Sequence, residues 1–144
     1  MEGSARTPMH LWVVGVLSAV WNGFGALDYT MTQTRNAAWM AQLTPDQVAW
    51  LDNASIVAHA SWALGVWGAL AGSLLLLARS RHGLSAFVVS LAGLAVNTIY
   101  QLSEPMPSGH MEGGAMLAFH ALIWAVAIAL LAYALWIRRR GVLR

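Results

Sequence analysis

The chain has no cysteine, no lysine and only four prolines, and charged residues make up just 10% of its 144 positions. Without cysteine there is no thiolate metal site, no thiol nucleophile and no disulfide from which to infer an oxidising compartment. Soluble domains carry about a quarter charged residues, so this composition argues against a soluble enzyme, a disordered tail and a disulfide-stapled secreted scaffold. All eight positive charges are arginines, set against six acids. The resulting pI near 9.7 does not indicate nucleic-acid binding, because the arginines flank apolar runs instead of forming a basic face. The sequence also lacks a nucleotide-binding glycine loop, an H-E-x-x-H metal motif, a Ser-His-Asp arrangement and a paired-carboxylate site. A non-enzymatic protein is the expectation.

What is abundant is apolar: 58% hydrophobic residues, eight tryptophans and a mean hydropathy of +0.58. Four stretches, residues 11–27, 56–78, 84–102 and 114–137, contain no Asp, Glu, Lys or Arg. Each is close to the ~20 residues a helix needs to cross the hydrocarbon core. The expected fold is therefore all-α, a four-transmembrane-helix bundle forming one integral membrane domain over residues 1–144. Arg6 ahead of the first run resembles the start of a signal peptide. The run is long, however, and Phe24-Gly25-Ala26 is a poor cleavage site, so the segment is expected to be retained.

Arg6, Arg79, Arg81, Arg138, Arg139, Arg140 and Arg144 fall on one side of such a bundle. The other side holds Arg35 together with Asp28, Asp46, Asp52, Glu104 and Glu112. The positive-inside rule then puts both termini in the cytoplasm of a bacterial inner membrane. Trp12, Tyr133 and Trp136 at one interface, and Tyr29, Trp39, Trp50, Trp62 and Tyr100 at the other, fit aromatic belts. The outer loop, residues 28–55, contains Thr44-Pro45-Asp46-Gln47. Thr44 as cap, Pro45 at the first position and Gln47 closing a capping box predict a short interfacial helix over the mouth of the bundle. Val48 and Leu51 are expected to share one face of it, with Trp50 at its edge.

Small residues repeat at Gly15, Ala19 and Gly23, at Gly65, Gly68 and Gly72, and at Ala86, Ser90, Gly93 and Asn97. Spacings of this kind let helix backbones approach closely, here within one chain in preference to a homodimer. Asn22, Asn97, His59 and His120 lie inside the spans, where an unpartnered polar group is expensive, so all four are expected to face inward at one level in the outer part of the bundle. A faint repeat, His59-Ala60-Ser61-Trp62-Ala63 against His120-Ala121-Leu122-Ile123-Trp124-Ala125, would set the two histidines opposite one another.

Several uses of these residues remain open at this level. The histidines can bond Asn, Ser or backbone carbonyls and hold the bundle in register. As opposed neutral imidazoles, His59 and His120 can instead ligate haem b or another pigment in a redox module, although no second histidine pair lies within the inner half of the spans for transmembrane electron relay. With His110, Asp28, Glu104 and Glu112 they offer nitrogen and oxygen ligands to a metal, but without a diagnostic spacing. Proton-coupled solute movement is a further use. No cofactor is favoured.

Trp21-Asn22-Gly23-Phe24-Gly25-Ala26-Leu27-Asp28-Tyr29, Met31-Thr32-Gln33-Thr34-Arg35-Asn36 and Thr44-Pro45-Asp46-Gln47, with Val66-Trp67-Gly68 and Arg140-Gly141-Val142-Leu143-Arg144, resemble the pattern of a family of small bacterial four-span inner-membrane proteins. The resemblance covers nearly the whole chain. Members sometimes carry the label "sugar transporter" without a demonstrated mechanism, so the resemblance implies location and architecture more than activity. It points to a shared site at Trp21, Asn22, Asp28, Tyr29, Gln33, Arg35 and Asn36; Asn97 inside the third span and Glu104 just beyond it are further candidates for the same polar vestibule. The expected function is binding or helping to move a small polar solute, or service as an accessory subunit. Its expected partners are the lipid bilayer and either further copies of itself or a larger membrane complex.

Overall fold

The computed structural model describes residues 6–109 and 113–144 and is all-helical over them. In chain order the helices are α1 (Met9–Gln33), α2 (Ala37–Met40), α3 (Pro45–Asn53), α4 (Ile56–Leu77), α5 (His82–Ser103) and α6 (Gly113–Arg139). Four of them, α1, α4, α5 and α6, are long and apolar enough to cross a membrane. They run alternately up and down, so both described ends of the chain lie at one end of the bundle and α2 and α3 at the other.

The expected spans hold to within a few residues except at the first. α1 continues six residues past Leu27, so Asp28, Tyr29 and Gln33 belong to its last turns and not to a loop. A charged residue ends an apolar run, but it does not end a helix. Residues 28–33 contain neither Gly nor Pro, the usual breakers, and the Thr30 hydroxyl donates to the Ala26 carbonyl at 2.7 Å. The helix stops where Arg35 adopts a left-handed conformation, φ 54°. There the Asn36 and Arg35 amides fold back onto the Met31 and Thr32 carbonyls, a Schellman ending. Arg79 closes α4 in the same way at φ 59°. The connecting segment is therefore residues 34–55, and α3 begins in it as the Thr44–Gln47 spacing predicts, with the full capping box formed. Its buried pair is Gln47 and Leu51, while Val48 is only half-buried.

α4 is the spine of the bundle, packed along its length against α5 and α1. The contact with α5 is close because glycine and serine face each other across it. A Cβ on Gly93 would lie 2.7 Å from the Gly65 nitrogen and the Ser61 carbonyl oxygen, and one on Gly68 would lie 3.1 Å from the Ser90 backbone. Gly72 receives the Phe87 ring in the same way. The small residues of α4 and α5 thus pack these helices within the chain, and Gly15 of α1 meets Leu77, whereas Gly23 meets no neighbour.

Two apolar clusters close the end that carries the termini. In one, Leu11, Leu76 and Ile137 meet Val142 and Leu143 of the C-terminal tail. The tail is held by paired backbone bonds, Arg81 N–H to the Arg144 carbonyl at 2.8 Å and Arg144 N–H to that of Arg79 at 2.7 Å. In the other, Leu84, Phe87, Leu130 and Ala134 join α5 to α6. α6 packs chiefly on α5, and its buried residues, Leu130, Ala134 and Ile137, all lie in this closed third. Toward the α2–α3 end it stands away from α1 and α4.

Gly93→Ala is expected to lower stability by about 1–3 kcal/mol, because backbone atoms on both sides must part to admit one methyl group. Gly23→Ala, which meets open space, is expected to be neutral or slightly stabilising. Thermal unfolding of the purified variants in one detergent checks both.

Candidate functional site

Where α6 stands away, a cavity of about 520 Å³ opens among all four long helices. Its walls are largely apolar: Trp21, Phe24, Trp62, Val66, Phe87, Leu94, Phe119, Ile123, Val126 and Leu130. Phe24 of α1 and Phe119 of α6 line it yet remain 66% and 49% exposed, which places a lateral mouth between these two helices. The Trp21 and Phe119 rings, 6.5 Å apart between centroids, span that gap. A second cavity of about 260 Å³ lies beneath α3 and shares Asp28, Trp62, Asn97 and Gln101 with the first.

The polar groups enter from three helices. Asn22 is buried between α1 and α4, and its amide donates to the Ala69 carbonyl at 3.2 Å and to the Ser73 hydroxyl at 2.9 Å. Asn97 donates to the Ala58 carbonyl at 3.1 Å. These acceptors are 11 residues apart on α4, so at 1.5 Å per residue the two asparagines differ in depth by about 16 Å. The expectation that Asn22, Asn97, His59 and His120 share one level does not hold. Asn22 lines the cavity deep inside, and Asn97 lines it near the α3 end. The level was misjudged because the first span was cut at Leu27, whereas α1 continues and carries Asn22 further from the helix end.

From Asn97 a hydrogen-bond chain runs to α6. Gln101 donates its amide to Asn97 Oδ1 at 2.7 Å and turns its oxygen to His120 Nε2 at 3.3 Å. His120 Nδ1 lies 2.9 Å from the Met116 carbonyl oxygen. Both atoms facing the ring are acceptors, so both contacts are made together only when the ring carries two protons, and a neutral ring keeps one of them. Nearby, the Trp124 indole donates to the Thr98 hydroxyl at 3.2 Å. Among the described residues, these two links are the hydrogen bonds that tie the splayed part of α6 to α5.

His59 is elsewhere. It lines the smaller cavity, with Nδ1 2.9 Å from the Gln33 amide. The two histidines therefore serve different cavities instead of opposing one another across a common space. Axial ligation through His120 Nε2 would first have to break its contact with Gln101, while Nδ1 could keep its bond to the Met116 carbonyl. Among the described residues no group of three or more His, Asp or Glu is disposed to hold a metal. His110 and Glu112, proposed as further ligands, lie outside the described residues.

Of the remaining candidates, Asp28 lines both cavities and accepts from the Trp39 indole at 2.8 Å. Tyr29 packs edge-on against Trp62 with centroids 5.0 Å apart. Arg35 is ion-paired with Asp52, and Asn36 caps α2 by accepting from the Trp39 amide. Glu104 contributes its backbone carbonyl to the Trp50 indole, and neither cavity includes it. Thus Trp21, Asn22, Asp28, Asn97 and His120 line one cavity at different depths, while Gln33 bonds His59 and Tyr29, Arg35, Asn36 and Glu104 support the surrounding cap. Sequence reasoning missed Gln101, which links the two parts. Its position four residues after Asn97, on the same face of a span, was the available signal.

These features define a multi-pass four-helix membrane protein with a polar-ended apolar cavity beneath a short helical cap. No protein-family model, curated protein or solved structure matches the chain.

Gln101→Leu is expected to cut the link between Asn97 and His120 and to lower stability by about 1 kcal/mol, the scale of an interhelical hydrogen bond in a membrane protein. Hydrogen exchange should rise in residues 113–125 and stay unchanged in α4. Equal protection of α6 in wild type and variant would show that the link does not hold the helix.

Proposed function

We propose that this is a non-enzymatic protein of the bacterial cytoplasmic membrane that binds a small solute in the large cavity and helps it move. The single observation that carries this reading is the cavity itself. Its 520 Å³ falls in the range of small-molecule sites, which combine apolar walls with a few convergent polar groups. The apolar walls favour a solute with an apolar body and a polar end over a uniformly polar one such as a free sugar. Asn22 sits at the deep end, and Asp28, Asn97, Gln101 and His120 are the polar groups nearer the cap. The apolar clusters at the terminus end make the cavity blind on that side, so movement through the protein would require α6 to shift there.

The arginine distribution supports a cytoplasmic location for both termini, and kinship with the small four-span family belongs to the same proposal. So does assembly with further copies or a larger complex, since the splayed part of α6 has no buried residue. The absence of cysteine makes the orientation directly testable. Cysteine placed at position 42 should react with an impermeant thiol reagent on intact spheroplasts, and cysteine at position 82 only after permeabilisation.

Solute binding is tested by thermal unfolding of the purified protein against sugars, amphiphiles, organic anions and organic cations. A binding class present at about 100 times its Kd adds about 2.7 kcal/mol to stability, and Asn22→Ala should diminish that gain. If no class stabilises the protein, the proposal fails.

A further inference from the structure

Among the described residues the cavity has one acidic side chain, Asp28, and it lies where the large and small cavities adjoin. The Trp39 indole N–H fixes Asp28 Oδ1 at 2.8 Å, while Oδ2 has no hydrogen-bond partner among the described residues. The nearest arginine in sequence, Arg35, is committed to Asp52 in the one salt bridge found among the described residues. Asp28, exposed at the cap end of the cavity, thus presents a carboxylate with no cationic partner among the described residues.

The cavity that Asp28 borders is aromatic. Trp21, Phe24, Trp39, Trp62 and Phe119 line the same cavity. Aromatic faces carry negative quadrupole potential and attract cations, most strongly when the cation is poorly hydrated. A metal ion or small ammonium ion would lose its hydration shell against Val66, Leu94, Ile123 and Val126 without replacement ligands. An organic cation whose charge is buried within an apolar body loses little hydration, and that body matches these walls. An anion would meet the carboxylate. Entry from the hydrocarbon phase between Phe24 and Phe119 would require the Trp21 and Phe119 rings to part.

From this arrangement we propose that the solute class is a lipophilic organic cation, with Asp28 as its counter-ion and the Trp21, Trp39 and Trp62 rings as its aromatic contacts. This rests on the cavity being the solute site and adds the sign of the charge.

The test uses two ions of the same shape and opposite charge, tetraphenylphosphonium and tetraphenylborate, titrated against the full chain in detergent at pH 8, above the ordinary histidine range. Quenching of tryptophan fluorescence reads binding. Expected results are saturable binding of the phosphonium, at least tenfold weaker binding of the borate, and a tenfold or greater loss of phosphonium affinity in Asp28→Asn. Asp28→Glu, which keeps the charge, should retain most of the affinity. Thermal unfolding establishes that each variant is folded, and if Asp28→Asn is not, the comparison of the two ions in the wild type decides. Equal binding of both ions, or an undiminished affinity in folded Asp28→Asn, would overturn the charge assignment while leaving the cavity as a solute site. Saturable binding of neither ion would overturn the assignment of this class. Stabilisation by other solutes, measured separately, decides whether the cavity reading falls with it.

Discussion

The close approach of α4 to α5 is the constraint on which the rest of the bundle depends. Glycine at positions 65, 68, 72 and 93 brings the two backbones near enough for short side chains on one helix to reach carbonyls on the other. The Ser90 hydroxyl donates to the Gly65 carbonyl at 2.6 Å, and the Asn97 amide to that of Ala58. On the opposite side Asn22 of α1 reaches the Ala69 carbonyl. α4 is therefore an acceptor spine between two donors. In a medium without water these bonds have no substitute, because an unpaired amide in hydrocarbon is costly.

α6 has no place at that spine. It is the most apolar of the four spans, and its firm packing is confined to Leu130, Ala134 and Ile137 near the closed end. Beyond them it is linked to α5 through His120 and Trp124 and approaches α1 through Phe119. The cavity follows from this asymmetry: three helices hold one another closely and the fourth is attached at its base. Of the side chains that link this wall to α5, His120, Gln101 and Thr98 also line the site.

The cap is built from a different set of contacts. Tyr29 rests on Trp62, Trp50 reaches the Glu104 carbonyl, Gln47 donates to the Pro107 carbonyl at 3.3 Å, and the Tyr100 hydroxyl accepts from the Ser55 amide at 3.2 Å. Indole and phenol groups with one apolar face and one polar edge suit this layer, which must cover apolar walls and bond to backbone at once. Several residues of the 21–36 block are used here, in fastening the cap, and do not face the cavity.

Much of the architecture was legible in the sequence because it depends on local or one-dimensional properties. Four uncharged runs of spanning length gave four helices, the Thr44–Gln47 box gave the start of α3, and glycine spacing gave the close helix pairs. The end of α1 was misplaced because hydropathy reports charge, whereas a helix ends where its backbone does, here at the left-handed Arg35. The depth of Asn22 relative to Asn97, the separation of His59 from His120, and the role of Gln101 as a bridge depend on how helices rotate and slide against one another. Only the tertiary structure decided them. Intrachain polar residues can be recognised as expensive from sequence alone, but which acceptor relieves the expense is set by packing between segments tens of residues apart.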